Sequence, residues 1–167
     1  MIGNEYRARI VWTRNGAEFA NGRYSRAHEW RFDGIDVPAS ASPLHVPVPL
    51  SQPAAVDPEE AFCAALSSCH MLFFLFFAAK AGFTVERYED SAVGVIGENE
   101  GGRAFVSTVT LDPQIAFAGK RRPSEAEIAE LHHRSHEECY LANSVITNVA
   151  VAASPAPGAA AFQGVLS

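Results

Sequence analysis

From Ala61 to Ala79 the chain runs 19 residues without an Asp, Glu, Lys or Arg. A helix needs about 20 apolar residues to span a bilayer, so this segment approaches that length. Its middle, Ser67-Ser68-Cys69-His70, is too polar for a lone span, and no cluster of positive charge flanks it. It opens on Asp57-Pro58-Glu59-Glu60, a start suited to a soluble helix. Asp57 serves as N-cap, Pro58 fits the first helical position, and Glu60 completes an Asp-x-x-Glu variant of the capping box. Gly82 supplies the stop. The segment therefore reads as a central helix to about Ala81, apolar on nearly all sides. One sheet face is too little cover for such a helix, so a partner subunit is expected to bury the rest.

Around this helix the pattern is of strands. Tyr6 to Trp12 alternates apolar and charged residues, and Arg14-Asn15-Gly16 marks a turn. Phe19 to Phe32 reads as a second strand, broken at Asn21-Gly22 and stopped by Asp33-Gly34. Val37 to Pro58 holds six of the ten prolines, which predicts an extended loop or edge segment. Past the helix, Ser91 to Gly97, Arg103 to Leu111 and Gln114 to Phe117 read as strands. Ser124-Glu125-Ala126-Glu127 is a capping box that opens a second helix, predicted to run to about Asn143. Its inward stripe is Ile128, Leu131, Ser135, Cys139 and Ala142. Ser144 to Ala152 closes as a strand. The Ala-, Gly- and Pro-rich residues 154–167 are expected to be a disordered tail. The expectation is one α+β domain over residues 1–153, with antiparallel sheets around two long helices.

The formal net charge of −6 argues against nucleic acid or an anionic membrane as the main partner. Three widely spaced cysteines are not a secreted disulfide framework, and Met1 to Arg9 has no apolar signal-peptide core. A cytoplasmic location is the default expectation.

Candidate chemistry concentrates on two of the thiols. Cys69 lies in the polar patch of the first helix, and burying such groups is costly unless something pairs with them. Cys139 lies on the inward stripe of the second helix. Buried cysteines are usually small core residues, but two thiols in one pocket can cycle between dithiol and disulfide. Cys63 cannot bridge Cys69: six residues along a helix leave the two about 9 Å apart. A rival pattern is His132, His136 and Cys139 at i, i+4 and i+7, which could hold a metal with Cys69 or Glu59 added. A pocket rim is the plainer reading of those histidines.

The run Asp57-Pro58-Glu59-Glu60-Ala61-Phe62-x-Ala64-Ala65-Leu66-x-x-Cys69, with Cys139 seventy residues on, resembles the OsmC/Ohr family of osmotically inducible and organic hydroperoxide resistance proteins. Ala78 to Phe83 matches the helix end of that family, and the resemblance covers roughly residues 5 to 152. Tyr140 stands where the family usually has Pro, and Asp57 where Asn is common. Arg23 to Trp30 and the proline-rich loop look like a distinct subgroup. The resemblance implies an OsmC-like intertwined homodimer and a thiol-dependent peroxidase that reduces organic hydroperoxides in stress defence. Cys69 would be the attacking thiol and Cys139 the resolving one. An external dithiol would be the reductant, and no cofactor would be needed. A nearby arginine, Arg14 or Arg26, would stabilise the Cys69 thiolate, with Glu59 as its carboxylate partner. Glu59 lies ten residues before Cys69, about 15 Å along one helix. It could serve that thiol only from the other protomer, in a site shared across the dimer. A noncatalytic small-molecule or lipid-binding dimer on the same fold is the alternative.

Overall fold

The computed structural model describes residues 3–152, so the expected tail at 154–167 lies outside the described residues. Two compact units divide the chain, Met1–Phe62 and Cys63–Ser167, with the boundary inside the first long helix.

In the first unit three short strands, β1 (Arg9–Val11), β2 (His28–Phe32) and β3 (Ile35–Ala39), form an antiparallel sheet in the order β1-β2-β3. Both early strands are shorter than their sequence patterns predict. The stretch from Phe19 folds instead as turns, with Trp12, Phe19 and Tyr24 in mutual ring contact. The start of the proline-rich stretch takes the edge form expected of it: Pro38 lies inside β3, opposite Glu29. It is tolerated because β3 is an edge strand of its sheet, where a missing donor breaks no ladder. Beyond β3 the chain does run as an irregular loop. It is pinned by Ser40 N to Val56 O at 3.0 Å, Val56 N to Pro38 O at 3.1 Å and Gln52 N to Ser40 Oγ at 2.9 Å.

Helix α1 (Pro58–Lys80) starts as its sequence predicts. Glu60 N donates to Asp57 Oδ1 at 2.8 Å, and Asp57 N donates back to Glu60 Oε2 at 3.2 Å. Its end is a Schellman turn: Phe83 N reaches Ala78 O and Gly82 N reaches Ala79 O, both at 3.0 Å, with Gly82 at φ 78°. By length and apolarity the helix would pass for a membrane span, yet 33% of its most apolar window is buried within the single chain. Leu72 and Phe76 remain 60% and 50% exposed.

In the second unit β4 (Thr84–Asp90) pairs antiparallel with β7 (Pro113–Ala118). Strands β5 (Val93–Glu98) and β6 (Ala104–Leu111) pair antiparallel, and β8 (Asn148–Val151) joins β6 in parallel. The parallel pair departs from the all-antiparallel expectation. Strand β4 has no counterpart in the sequence reading because its alternation is interrupted. The register with β7 shifts between Val85 and Arg87, a bulge that leaves Glu86 unpaired. Val85, Tyr88 and Asp90 are consequently the partly buried residues of the strand. Phe74, Phe77, Ala78, Phe83 and Leu131 form the core cluster, with Val85, Tyr88, Ile115 and Phe117 packed against it.

Helix α2 (Glu125–Glu138) opens with the capping box at Ser124 and Glu127. It stops five residues short of the expected Asn143. Cys139 is its C-cap, with φ −66° and ψ 108°, and a 3-10 turn follows at Ala142–Ser144.

Candidate active site

Among the side-chain contacts between α1 and the α2 region, two pairs carry titratable groups on both sides. The first is the thiol pair. Cys69 is half-buried on α1, Cys139 is 2% exposed at the end of α2, and the Cys139 thiol lies beside the Cys69 side chain. Burial, and next the neighbouring Cys69 side chain, push the Cys139 thiol up to about 11, so Cys139 keeps its proton at neutral pH. The Cys139 sulfur also accepts the Ala142 N–H at 3.4 Å. The two thiols thus differ: one is accessible, and the other is buried and held as the neutral S–H.

The second pair is His70 and His132, with Nε2 to Nδ1 at 3.0 Å and rings 12° from parallel. One neutral ring donates and the other accepts. Burial lowers both to about 4; for His70 the neighbouring His132 and His136 add to this, while Asp90 opposes it at His132. Beside them the Ser67 hydroxyl donates to Asp90 Oδ2, and Asp112 N donates to Asp90 Oδ1 at 2.7 Å. Tyr88, on the same strand, has a buried hydroxyl with no hydrogen-bond partner among the described residues. Burial first, and Asp90 second, raise its pKa above the ordinary phenol value.

The polar patch in the middle of α1 is thereby satisfied from two elements: Ser67 by β4 and His70 by α2. The unbalanced polarity of that patch was the signal for a partner in the sequence. The identity of the partners was not readable, because β4 is masked by its bulge and His132 lies 62 residues from His70.

The rival metal pattern loses its geometry. Cys139 has left the helix, so the i, i+4, i+7 face does not exist. His132 is engaged with His70, and His136 is exposed. Among the described residues no group of three or more His, Cys, Asp or Glu side chains is arranged to hold a metal ion.

The remaining candidates lie in the first unit. Glu59 is half-buried in the first turn of α1. Arg14 is exposed in its turn, with Nη1 donating to Ala17 O at 3.3 Å. Arg26 is half-buried and committed locally: it stacks 3.8 Å over the Tyr24 ring and donates to the carbonyls of Gly22, at 2.7 Å, and Tyr24.

The sequence profile described as OsmC-like protein matches residues 51–154. The chain belongs to the OsmC-like family. An OsmC-like protein of unknown function from Vibrio cholerae is 50% identical, with a TM-score of 0.87 over 89% of this chain and 98% of its own. An OsmC-like protein from Mycoplasma pneumoniae is 17% identical, with a TM-score of 0.66 over 90% of this chain and 98% of its own. A Legionella pneumophila organic hydroperoxide resistance protein is 16% identical, with a TM-score of 0.63 over 92% of this chain and 100% of its own. At those lower identities the likeness is one of fold. No curated protein sequence matches the chain. The OsmC-like family assignment and the α+β architecture agree with the resemblance carried by the Asp57–Cys69 run.

Proposed function

We propose that this protein reduces organic hydroperoxides through a dithiol–disulfide cycle of Cys69 and Cys139. The observation that carries the reading is the contact between two unequal thiols. The accessible Cys69 is the one a peroxide can reach, and the buried Cys139 is already beside it as a protonated thiol. The Cys69 thiolate attacks the O–O bond, releases an alcohol and becomes a sulfenic acid. Cys139 displaces the sulfenic hydroxyl, which leaves as water, and an external dithiol restores both thiols.

The same reading includes a homodimer in the cytoplasm. The exposed apolar residues of the second unit, Leu72, Phe76, Val93, Val95 and Ile96 among them, are the kind a second copy would cover. In that dimer Glu59 of one protomer serves Cys69 of the other and holds the arginine that favours its thiolate. Arg14 is the stronger candidate, because Arg26 already spends its donors within its own turn.

The test is dithiol-dependent consumption of cumene hydroperoxide. Wild type should turn over, Cys69→Ser should be inactive, and Cys139→Ser should stall after one equivalent. No turnover by wild type rejects the peroxidase reading and leaves the ligand-binding alternative. Light scattering tests the dimer: a mass near 18.0 kDa rather than twice that rejects it.

A further inference from the structure

The residue after Cys139 has a role of its own. Cys139 ends α2 in extended conformation, and its N–H keeps only a 3.3 Å bond to His136 O. The turn that follows is tied mainly to itself. Asn143 N donates to Cys139 O at 3.0 Å, Asn143 Nδ2 to Glu137 O at 2.7 Å, and Ser144 Oγ to Tyr140 O at 2.7 Å. These bonds shape the turn; they do not hold it on α1.

On α1, Cys69 and Phe73 are four residues apart and so share one face, one helical turn from each other. Two successive residues of the α2 end meet that face. Cys139 meets Cys69 through their thiols, and Tyr140 meets Phe73 edge-on, with ring centroids 5.3 Å apart and planes at 83°. That is the favoured aromatic geometry. Tyr140 is 65% exposed, so its ring adds little to the core, while Phe73 is half-buried. A large ring kept mostly in water, whose contact lies one turn from the thiol pair, is placed to hold the turn down.

We propose that Tyr140 is the positioning residue of the Cys139 thiol: its edge-on contact with Phe73 clamps the end of α2 so that Cys139 stays on Cys69. The catalytic consequence rests on the peroxidase reading above; the positioning itself does not. In the step it would govern, Cys69–S–OH and Cys139–S–H combine. An S–S bond forms, the S–O and S–H bonds break, the Cys139 sulfur is oxidised, the Cys69 sulfur is reduced from the sulfenic state, and the proton leaves with the hydroxyl as water.

The primary test needs no peroxide. The full-length protein is equilibrated with mixtures of reduced and oxidised glutathione, and the Cys69–Cys139 disulfide is read by mass as an effective thiol concentration. Tyr140→Ala should lower that concentration about threefold to tenfold, the range expected for one aromatic pair. Tyr140→Phe, which keeps the ring and loses the hydroxyl, should restore it. Circular dichroism and the melting temperature report whether Tyr140→Ala stays folded; if it does not, Tyr140→Leu is the second variant and should give an intermediate loss. An unchanged effective concentration in a folded Ala or Leu variant, or a Phe variant no better than Ala, overturns the proposal. With cumene hydroperoxide, Tyr140→Ala should also leave more Cys69 sulfenic acid to be trapped by a dimedone-type reagent. If wild type forms no sulfenic acid while the glutathione result holds, the peroxidase reading fails and the clamp stands.

Discussion

His70 Nε2 lies 3.0 Å from His132 Nδ1, an edge-to-edge contact between α1 and α2 made by two neutral rings. Both are depressed to about 4 in the folded protein, against an ordinary value of 6.5. Unfolded chains therefore bind protons at these positions from about pH 6.5 downward, while the folded protein refuses them until about pH 4. The stability they support is complete above pH 6.5 and falls as the pH drops from 6.5 to 4, with no further loss from this pair below that. Urea denaturation midpoints measured across this interval should decline in wild type. His132→Gln, which cannot titrate, should show a shallower decline. Equal slopes in the two proteins would falsify the assignment.

Asp90 anchors β4 to two neighbours, accepting from the Ser67 hydroxyl and from Asp112 N. Asp90→Ala leaves both donors without their acceptor and should cost about 1–3 kcal/mol of unfolding free energy. Asp90→Asn, which keeps an acceptor oxygen, should cost less. A urea titration showing Asp90→Ala within about 0.5 kcal/mol of wild type would mean these bonds are matched by water.

The features legible in the sequence were those whose causes are local. The caps at Asp57 and Ser124, the stop at Gly82 and the apolar run of α1 each depend on residues a few positions apart, and all appear where expected. The misses came from tertiary effects. The stripe Ile128, Leu131, Ser135 continues in pattern to Cys139, but the Cys139 backbone is extended, so periodicity overran the helix end. Strand β4 escaped notice because the bulge at Glu86 breaks its alternation, whereas Pro38 lies in the edge strand β3, as the loop-or-edge reading of the proline-rich stretch allows. For the candidate site, the odd polarity of Ser67 to His70 was visible, while the contact of Cys69 with Cys139 depends on how two distant segments pack.

Gly94 on β5 is closed to side chains. A Cβ there would meet Cys63 Sγ at 2.5 Å, well inside van der Waals contact. Gly94→Ala should lower the melting temperature, with a cost of about 1–3 kcal/mol, as for other overpacked sites. The double variant with Cys63→Ala should recover most of the loss. No recovery would place the strain in the backbone of β5 instead.

The inequality of the thiols should be visible to alkylation. At neutral pH iodoacetamide should modify Cys69 well ahead of Cys139 in the native protein, because Cys139 is buried and held up to about 11. Peptide mapping over a time course reads the two separately. Equal labelling under native conditions would contradict the arrangement.

The bulge at Glu86 sets the parity of everything after it in β4. Were Glu86 paired like its neighbours, strict alternation from Val85 would turn Arg87 and Glu89 toward Phe74 and Phe117, and Tyr88 and Asp90 toward water. Pairing Glu86 regularly, with every residue kept, would exchange an aromatic and a carboxylate for two opposite charges on the core side of the sheet, whereas deleting Glu86 would leave the faces as they are. The unpaired place at 86, not the side chain that fills it, thus keeps Tyr88 and Asp90 inward, and relatives that share this polar centre should carry either a bulge with any residue there or a strand shorter by that one residue.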